Sequence, residues 1–463
     1  MKELRTGVIV FLKERMLCYI CQRAYMVDRL GVARGQDENP DGVSAAADGV
    51  GGGKARMSSK SIDFTTITAC GERCTDCPKK RGGLCQGCIE ADGYVPEWAE
   101  SGRCRVHDCT RRHGVSFCGL CAEFPCKQIT SLIHWKPDIV EQMTALAGQY
   151  LEQRAEQERQ SAILDALNQQ YPLQIDSLTF LGDSGCITYA AHAKEQDYFL
   201  RITKPAFLET IETSLDVHLF LQKQGFPVPH LLFTKDGRYA GEYSEKDKSS
   251  RLLLCKFIEG TEPEPEEDAE ALGALIGRLH QIMKDYPGSL VKRDRDYYLD
   301  RYIRIMRKKG YAGTDRFRVY GEALWERVKG LPYGYCHGDL YPGNLLKSKE
   351  GKLYVLDFDT SCKGFPMYDV ALLCNRTDYF QLEPDGYIKS KAVYERFLPE
   401  YLRYQEFIKE EQTAFYDLIA LYHFALQATI IEVFGMDCVD DAFFDRQWRW
   451  LKEWERQTSD FKK

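Results

Sequence analysis

The stretch CHGDLYPGNLL, Cys336 to Leu346, followed by LDFD at Leu356 to Asp359, constrains this chain more than any other feature. Asn344 comes five residues after Asp339, and Asp357 comes thirteen residues after Asn344. Each piece alone reads as an ordinary turn or strand end. Together they put two kinds of carboxylate and a neutral amide within reach of one another. Phosphoryl transfer asks for such a set, because it needs little covalent chemistry from the protein but an acceptor hydroxyl held in line and cations on the phosphate oxygens. One carboxylate must meet the hydroxyl, and another must hold Mg²⁺, which takes oxygen ligands together with substrate phosphates. Asp339 suits the first role. Asn344, from the same loop, offers a neutral metal oxygen, and Asp357 an anionic one at the end of the next strand. His337 belongs to the catalytic loop and reads as a residue that orients it rather than as a base. Asp359 reads either as a second metal contact or as a strand terminator.

At 463 residues the chain is long enough for two or three units, each able to bury a core. A hydrophobic fraction of 44% and an aromatic fraction of 12% place it among globular proteins. The net charge of -7, without a long Lys/Arg run, argues against a nucleic-acid backbone as partner and for a small metabolite. No run of 18 apolar residues suggests a membrane span, and the apolar GVIVFL at Gly7 to Leu12 is too short for a signal-peptide core. The expectation is a cytoplasmic protein. Residues 31–60 are rich in Gly, Ala, Ser and Asp without periodicity, so residues 1–61 read as a short apolar start and a flexible linker, with Met57 a possible alternative start. The rest divides into a cysteine-rich unit at 62–135, a helical connector at 136–172, a β-rich segment at 173–260 and a helical segment at 261–463. Five strands are expected in the β-rich segment: SLTFLG, CITYAAHA, DYFLRIT, PVPHLLFT and RLLLCKFIEG, with a helix over Glu209 to Gln224. The aromatic-rich helix FYDLIALYHFALQATI reads as core.

HGDLYPGNLL followed by YVLDFDTSCKGFPMYDVALL resembles the aminoglycoside phosphotransferase and choline kinase-like family, whose H-G-D-x4-N-x-L, D-F-D-like and G-x4-D pattern is met by His337, Gly338, Asp339, Asn344, Leu346, Asp357, Asp359, Gly364 and Asp369. The resemblance runs from about residue 161 to 455. It implies an α+β, two-lobed protein kinase-like fold, with a small β-rich lobe and a larger helical lobe closing over ATP. It also implies that FLGDSGCITYAA, with Ser184 and Gly185 at its turn, cradles phosphate through backbone N–H groups. LLLCKFIEG, with Lys256 and Ile258, would be the hinge that meets adenine. In DYFLRIT the family's phosphate-contacting Lys is replaced by Arg201, which keeps the charge but not the point geometry. Its expected partner is an acid on the following helix, Glu212 or Asp216. The acidic run EGTEPEPEEDAE could attract a cationic acceptor, but a solvated linker and helix N-terminus explain it better.

Ten of the eighteen cysteines fall between Cys70 and Cys126. Three C-x2-C pairs, Cys74/Cys77, Cys85/Cys88 and Cys118/Cys121, are joined by Cys70, Cys104, Cys109 and Cys126. Such clustering outside an oxidising compartment points to metal rather than disulfides, because C-x2-C presents two thiolates to one ion and four sulfurs complete a tetrahedral zinc site. Ten would fill two Cys₄ sites with two left over, iron–sulfur being the alternative to Zn²⁺. His107 and His113 are possible substitutes, and Cys18 and Cys21 lie beyond the linker. The module resembles a small bacterial cysteine-rich domain of unknown function. The expected protein is an ATP- and Mg²⁺-dependent phosphotransferase acting on a small-molecule hydroxyl, of an aminoglycoside, amino alcohol, sugar or similar. The competing reading is a nucleotide-binding regulator whose cysteine module meets a protein partner. Retention of Asp339, Asn344 and Asp357 favours the first, and the Arg201 exchange the second.

Overall fold

A computed structural model describes residues 62–95, 102–134, 136–184, 186–203, 208–245, 248–380 and 384–459. The apolar start, the linker, Cys18, Cys21 and Gly185 lie outside them. The chain forms two compact units that divide between Ile163 and Leu164, inside one 32-residue helix, α1 (Ile139–Gln170).

In the first unit short turns carry the cysteines. Cys74–Asp76 and Cys118–Leu120 are single 3₁₀ turns, and Arg105–Arg112 is a helix of eight residues. Its core is small: Ile67, Val106, Phe117, Ile129 and Met143 are buried together. Phe117 stacks on Phe64 at 6.0 Å and meets Tyr150 edge-on at 5.8 Å. Gly119 is the only residue type that fits its place, because a Cβ there would lie 2.6 Å from the Met143 carbonyl of α1.

The second unit opens with a five-stranded antiparallel sheet, β1 (Ile175–Ser184), β2 (Cys186–Ala193), β3 (Asp197–Thr203), β4 (Ala240–Glu245) and β5 (Lys248–Lys256), in the order β1-β2-β3-β5-β4. The end of α1 is tied to it. Asn168 exchanges two hydrogen bonds with Ile175, at 2.7 and 3.0 Å, and the buried Tyr171 hydroxyl donates to the Leu252 carbonyl at 2.9 Å. Helix α2 (Leu208–Lys223) connects β3 toward β4. The strand expected at PVPHLLFT does not form. Pro227 and Pro229 lack N–H donors, and only an isolated bridge pairs Leu231 with Cys255. The fifth strand is instead β4, AGEYSE, whose Gly, Glu and Ser give a weak strand signal and whose formation follows from its hairpin with β5.

Beyond β5 the lobe is mainly helical, with β6 (Gly260–Thr261), β8 (Leu345–Ser348) and β9 (Leu353–Val355) in one sheet and β7 (Gly334–Cys336) paired with β10 (Cys362–Gly364) in another. The acidic run forms the first turn of α3 (Pro265–Ile282), with Pro265 inside the start and Glu266, Glu267 and Asp268 beside the helix N-terminus. There Asp268 pairs with Lys347 at 2.6 Å and Glu270 with Arg396 at 2.7 Å, so the run is spent on the lobe's own cations. Helix α4 (Pro366–Cys374) lies close behind β10, and α5 (Phe415–Phe434) runs through the core. Among the described residues α5 alone is long and apolar enough to cross a membrane, and 78% of its apolar window is buried inside the lobe. The architecture is the two-lobed kinase-like α+β fold, with a separate cysteine-rich unit before it.

Candidate active site

Every polar group expected to do chemistry lies on the two turns that leave β7 and β9. The first turn is His337-Gly338-Asp339. Gly338 has φ +84, a conformation that L side chains rarely adopt, and a Cβ there would stand 2.5 Å from both Arg293 Nη1 and the Thr360 carbonyl. Asp369, fully buried on α4, fixes this turn. Its Oδ2 accepts from the His337 backbone N–H at 2.6 Å and its Oδ1 from the Gly338 N–H at 2.9 Å. His280 Nε2–H of α3 donates to the same carboxylate at 3.1 Å while Nδ1 accepts from the Tyr401 hydroxyl at 2.7 Å. The His337 ring is tied to the second turn: its Nε2–H donates to the Leu356 carbonyl at 2.8 Å and it packs on Phe358. His337 therefore joins the two turns.

Asp339 follows directly, half-buried at the surface of the turn. The Asn344 amide donates to the Asp339 carbonyl at 2.8 Å and to its carboxylate at 3.3 Å, which turns the Asn344 side-chain oxygen away from Asp339. The second turn holds Asp357 at φ +56, a strained position for a non-glycine residue, next to the buried Phe358. Asp357 and Asp359 both face Arg201. The guanidinium of Arg201 bonds the Asp359 carboxylate, and its Nη1 lies 3.5 Å from Asp357 Oδ1. Burial disfavours the charge on Arg201, but Asp357, Cys186 and Asp359 together outweigh it and hold its pKa well above the usual value. The expected partners do not meet it: Glu212 and Asp216 are exposed on α2. The reason is reach across the cleft, since β3 presents Arg201 to the turn after β9 rather than to its own following helix.

Arg201, Asn344 and Asp357 line a cavity of about 230 Å³ between the two lobes. Leu181, Phe199, Leu231, Leu253 and Leu346 make its apolar walls, and Lys256, Ile258 and Gly260 pass along its far side. The Lys256 N–H is already donated to the His230 carbonyl at 3.1 Å, which leaves Ile258 as the better placed of the two hinge residues. Ser184 closes β1 opposite Cys186, at the turn whose Gly185 is not described. His218, near the cavity, is pushed down to about 4 by burial. Sequence reasoning missed Arg293, whose Nη1 donates to the Gly338 carbonyl at 3.0 Å and whose guanidinium lies 4.1 Å from the Tyr297 ring centre. It sits in the charged run VKRDRD, which carries no local signal of burial.

The ten cysteines expected as metal ligands, Cys70, Cys74, Cys77, Cys85, Cys88, Cys104, Cys109, Cys118, Cys121 and Cys126, do not assemble. All ten are free thiols, and among the described residues no group of three or more His, Cys, Asp or Glu side chains stands close enough to hold a metal ion. Two loose neighbourhoods are present: Cys74, Cys70 and Cys104 lie near Cys88, and Cys126, Cys109 and Cys121 lie near Cys118. Cys77 closes the turn begun by Cys74, its N–H donating to the Cys74 carbonyl at 3.2 Å, and then stands at the N-cap of the short helix Pro78–Arg81. The first C-x2-C is thus a turn joined to a helix start. The Cys88 N–H donates to Cys74 Sγ at 3.2 Å, and Cys121 Sγ lies 3.6 Å from His113 Nδ1. Burial, with Cys126, Cys109 and Cys121 nearby, pushes the Cys118 thiol up to about 12. Thiols have no force drawing them to a common point without a cation.

Residues 183–415 match the phosphotransferase enzyme family, and residues 66–131 match a protein family of unknown function (DUF3795). A homoserine kinase of Methylobacillus flagellatus is 24% identical over 183 residues, 38% of this chain and 56% of that protein, so the chain spans about half of the length of that relative. Among solved structures, a microcompartment-associated aminopropanol kinase superimposes with a TM-score of 0.52 at 19% identity, covering 65% of this chain and 98% of the other. An amicoumacin kinase in complex with AMP-PNP, Ca²⁺ and Ami gives 0.51 at 20% identity, covering 64% and 93%. At these identities the likeness is one of fold.

Proposed function

Because the chain belongs to the phosphotransferase enzyme family, we propose that it is a cytoplasmic kinase that moves the γ-phosphoryl group of ATP to a hydroxyl of a small molecule. Amino alcohols are the favoured acceptor class, since a homoserine kinase and an aminopropanol kinase stand among its relatives and fold neighbours. One observation carries the reading: a single interlobe cavity is lined by the hinge at Ile258 and, at its other end, by Asn344, Asp357 and Arg201. Nucleotide base and phosphates have a place in that order.

Asp339 is the group that meets the acceptor. It is held through Gly338 by Asp369 and through its own carbonyl and carboxylate by Asn344, so it needs no reorganisation when the hydroxyl arrives. Asn344, Asp357 and Asp359 offer hard oxygen donors of the kind Mg²⁺ takes, and they would hold it. When bound, Mg²⁺ neutralises the phosphate oxygens on which charge develops. The glycine at 338 lets the loop pass close to Arg293 and the Thr360 carbonyl, where a side chain would clash. The cysteine module is an accessory unit whose C-x2-C pairs would suit zinc, and a bound ion would favour the thiolate form of its cysteines. Phosphotransfer to a panel of hydroxyl-bearing metabolites tests the main reading, with loss of transfer in Asp339→Asn as its specific mark.

A further inference from the structure

Arg201 stands where the proposed function needs two things at once, and the contacts in the structure decide between them. A cation on β3 is expected to serve the nucleotide's phosphates. In this structure it serves Asp357 and Asp359, the carboxylates assigned to the metal, through Nη1 at 3.5 Å and through Nη2. Two carboxylates two residues apart on one turn repel each other, and the planar guanidinium, with five donors in a fixed fork, meets both through separate nitrogens. Arg201 is only 15% exposed, Asp359 24% and Asp357 46%, so water screens this triad only in part. Its hydrogen bonding is incomplete. Arg201 Nε and Asp359 Oδ1 are buried without a partner, and Arg201 lines the cavity on the side of Asn344 and Asp357. A group with an unmet donor at the polar end of a cavity is poised to exchange partners, because an anion there supplies the missing acceptor.

The geometry points to Arg201 as an internal counter-cation: in the nucleotide-free protein it occupies the carboxylates of the metal site, and the phosphates of an incoming nucleotide draw it away and release them. This rests on the phosphotransferase reading for the identity of the nucleotide and of the metal carboxylates. The charge balance is simple. Asp357 and Asp359 carry two negative charges, Arg201 cancels one, and a dication competes with it directly. A phosphate chain takes the guanidinium over, so each ligand removes an obstacle to the other.

The test is Mn²⁺ binding to the full chain without nucleotide, followed through the free Mn²⁺ signal in electron paramagnetic resonance. Arg201→Gln and Arg201→Met both remove the charge, so a fold defect in one leaves the other to decide. Loss of a neighbouring positive charge at this depth is expected to tighten Mn²⁺ at least about tenfold, and adding Asp357→Asn to either variant is expected to abolish the gain. In EDTA, the same variants are expected to bind ADP at least about tenfold more weakly, one lost phosphate contact to a charged donor being of that size. Unchanged or weaker Mn²⁺ binding in both variants overturns the counter-cation role, and unchanged ADP binding overturns the exchange. Failure of the kinase reading looks different: Mn²⁺ tightening appears as predicted, but no acceptor is phosphorylated.

Discussion

Removing the Asp369 carboxylate should loosen the catalytic turn more than any change at the surface of the site. Asp369→Ala leaves the His337 and Gly338 backbone N–H groups and His280 Nε2–H without their acceptor in a region with no access to water, Asp369 being 0% and His280 3% exposed. Each orphaned buried donor costs about 1–3 kcal/mol, and breaking a buried charged contact from one side costs about 3–5 kcal/mol. The terms overlap, so the expected loss is about 4 kcal/mol, or about 10 °C in the melting temperature of a unit this large. Asp369→Asn keeps the shape but turns an amide N–H toward one of the donors, and about half of the loss is expected. Turnover should fall by about 10²-fold in both, since Asp339 adjoins Gly338 and a shift of an ångström at the reacting group is worth that much. Urea unfolding followed by tryptophan fluorescence measures the first effect, with the buried Trp450 and Trp454 reporting on this unit. A loss below about 1 kcal/mol in Asp369→Ala would refute the claim that this carboxylate holds the turn.

Two further outcomes follow from the same structure. Burial pushes His423 down to about 3 and His218 to about 4, so the folded state stays neutral where the unfolded chain protonates; stability is fully present above pH 6.5 and is lost as pH falls from there toward 4, each His adding a slope of at most about 1.4 kcal/mol per pH unit. Urea titrations across that window should show a shallower slope in His423→Phe, by one proton's worth, and an unaltered slope would contradict the assignment. Elemental analysis of the purified full chain should find one or two zinc ions, and chelation should unfold residues 62–135 while ATP binding survives; iron with sulfide, or no metal, would show that the cysteine module was misread.

Residues whose role depends on a loop and its spacing were legible in the sequence. Asn344 and Asp357 line one cavity and Asn344 bonds Asp339, a proximity that their intervals suggest, and His337 ties the loop to the next turn. Asp369 was visible as the last member of the motif, but not its task, because nothing in PMYDVALL says that its carboxylate turns inward to two backbone N–H groups. Arg201 was found while its partners were not: pairing along the chain favours the next helix, whereas the contact is made across the cleft to residues more than 150 positions away. β4 escaped for a similar reason, since AGEYSE is poor in strand-forming residues and is held by its hairpin partner. PVPHLLFT misled in the opposite direction, apolar enough for a strand but with two prolines that deny the ladder its donors. The cysteine spacing reads clearly as donor chemistry, whereas the structure shows Cys74 and Cys77 only as members of one turn, because the force that would gather four thiols belongs to an ion.

The central claim is that Asp339 meets the acceptor hydroxyl in a phosphoryl transfer. Its most direct test follows the γ-phosphoryl group of labelled ATP into a panel of amino alcohols and other hydroxyl metabolites, with the parent chain and Asp339→Asn side by side and ATP affinity measured by calorimetry in both. The account predicts a phosphorylated product with the parent, and in the variant an ATP affinity within about twofold and a transfer rate lower by 10²-fold or more, an amount typical of a positioned acid–base group. Equal transfer rates in the two proteins, or ATP bound tightly by the parent with no phosphoryl group delivered to any hydroxyl, would contradict it.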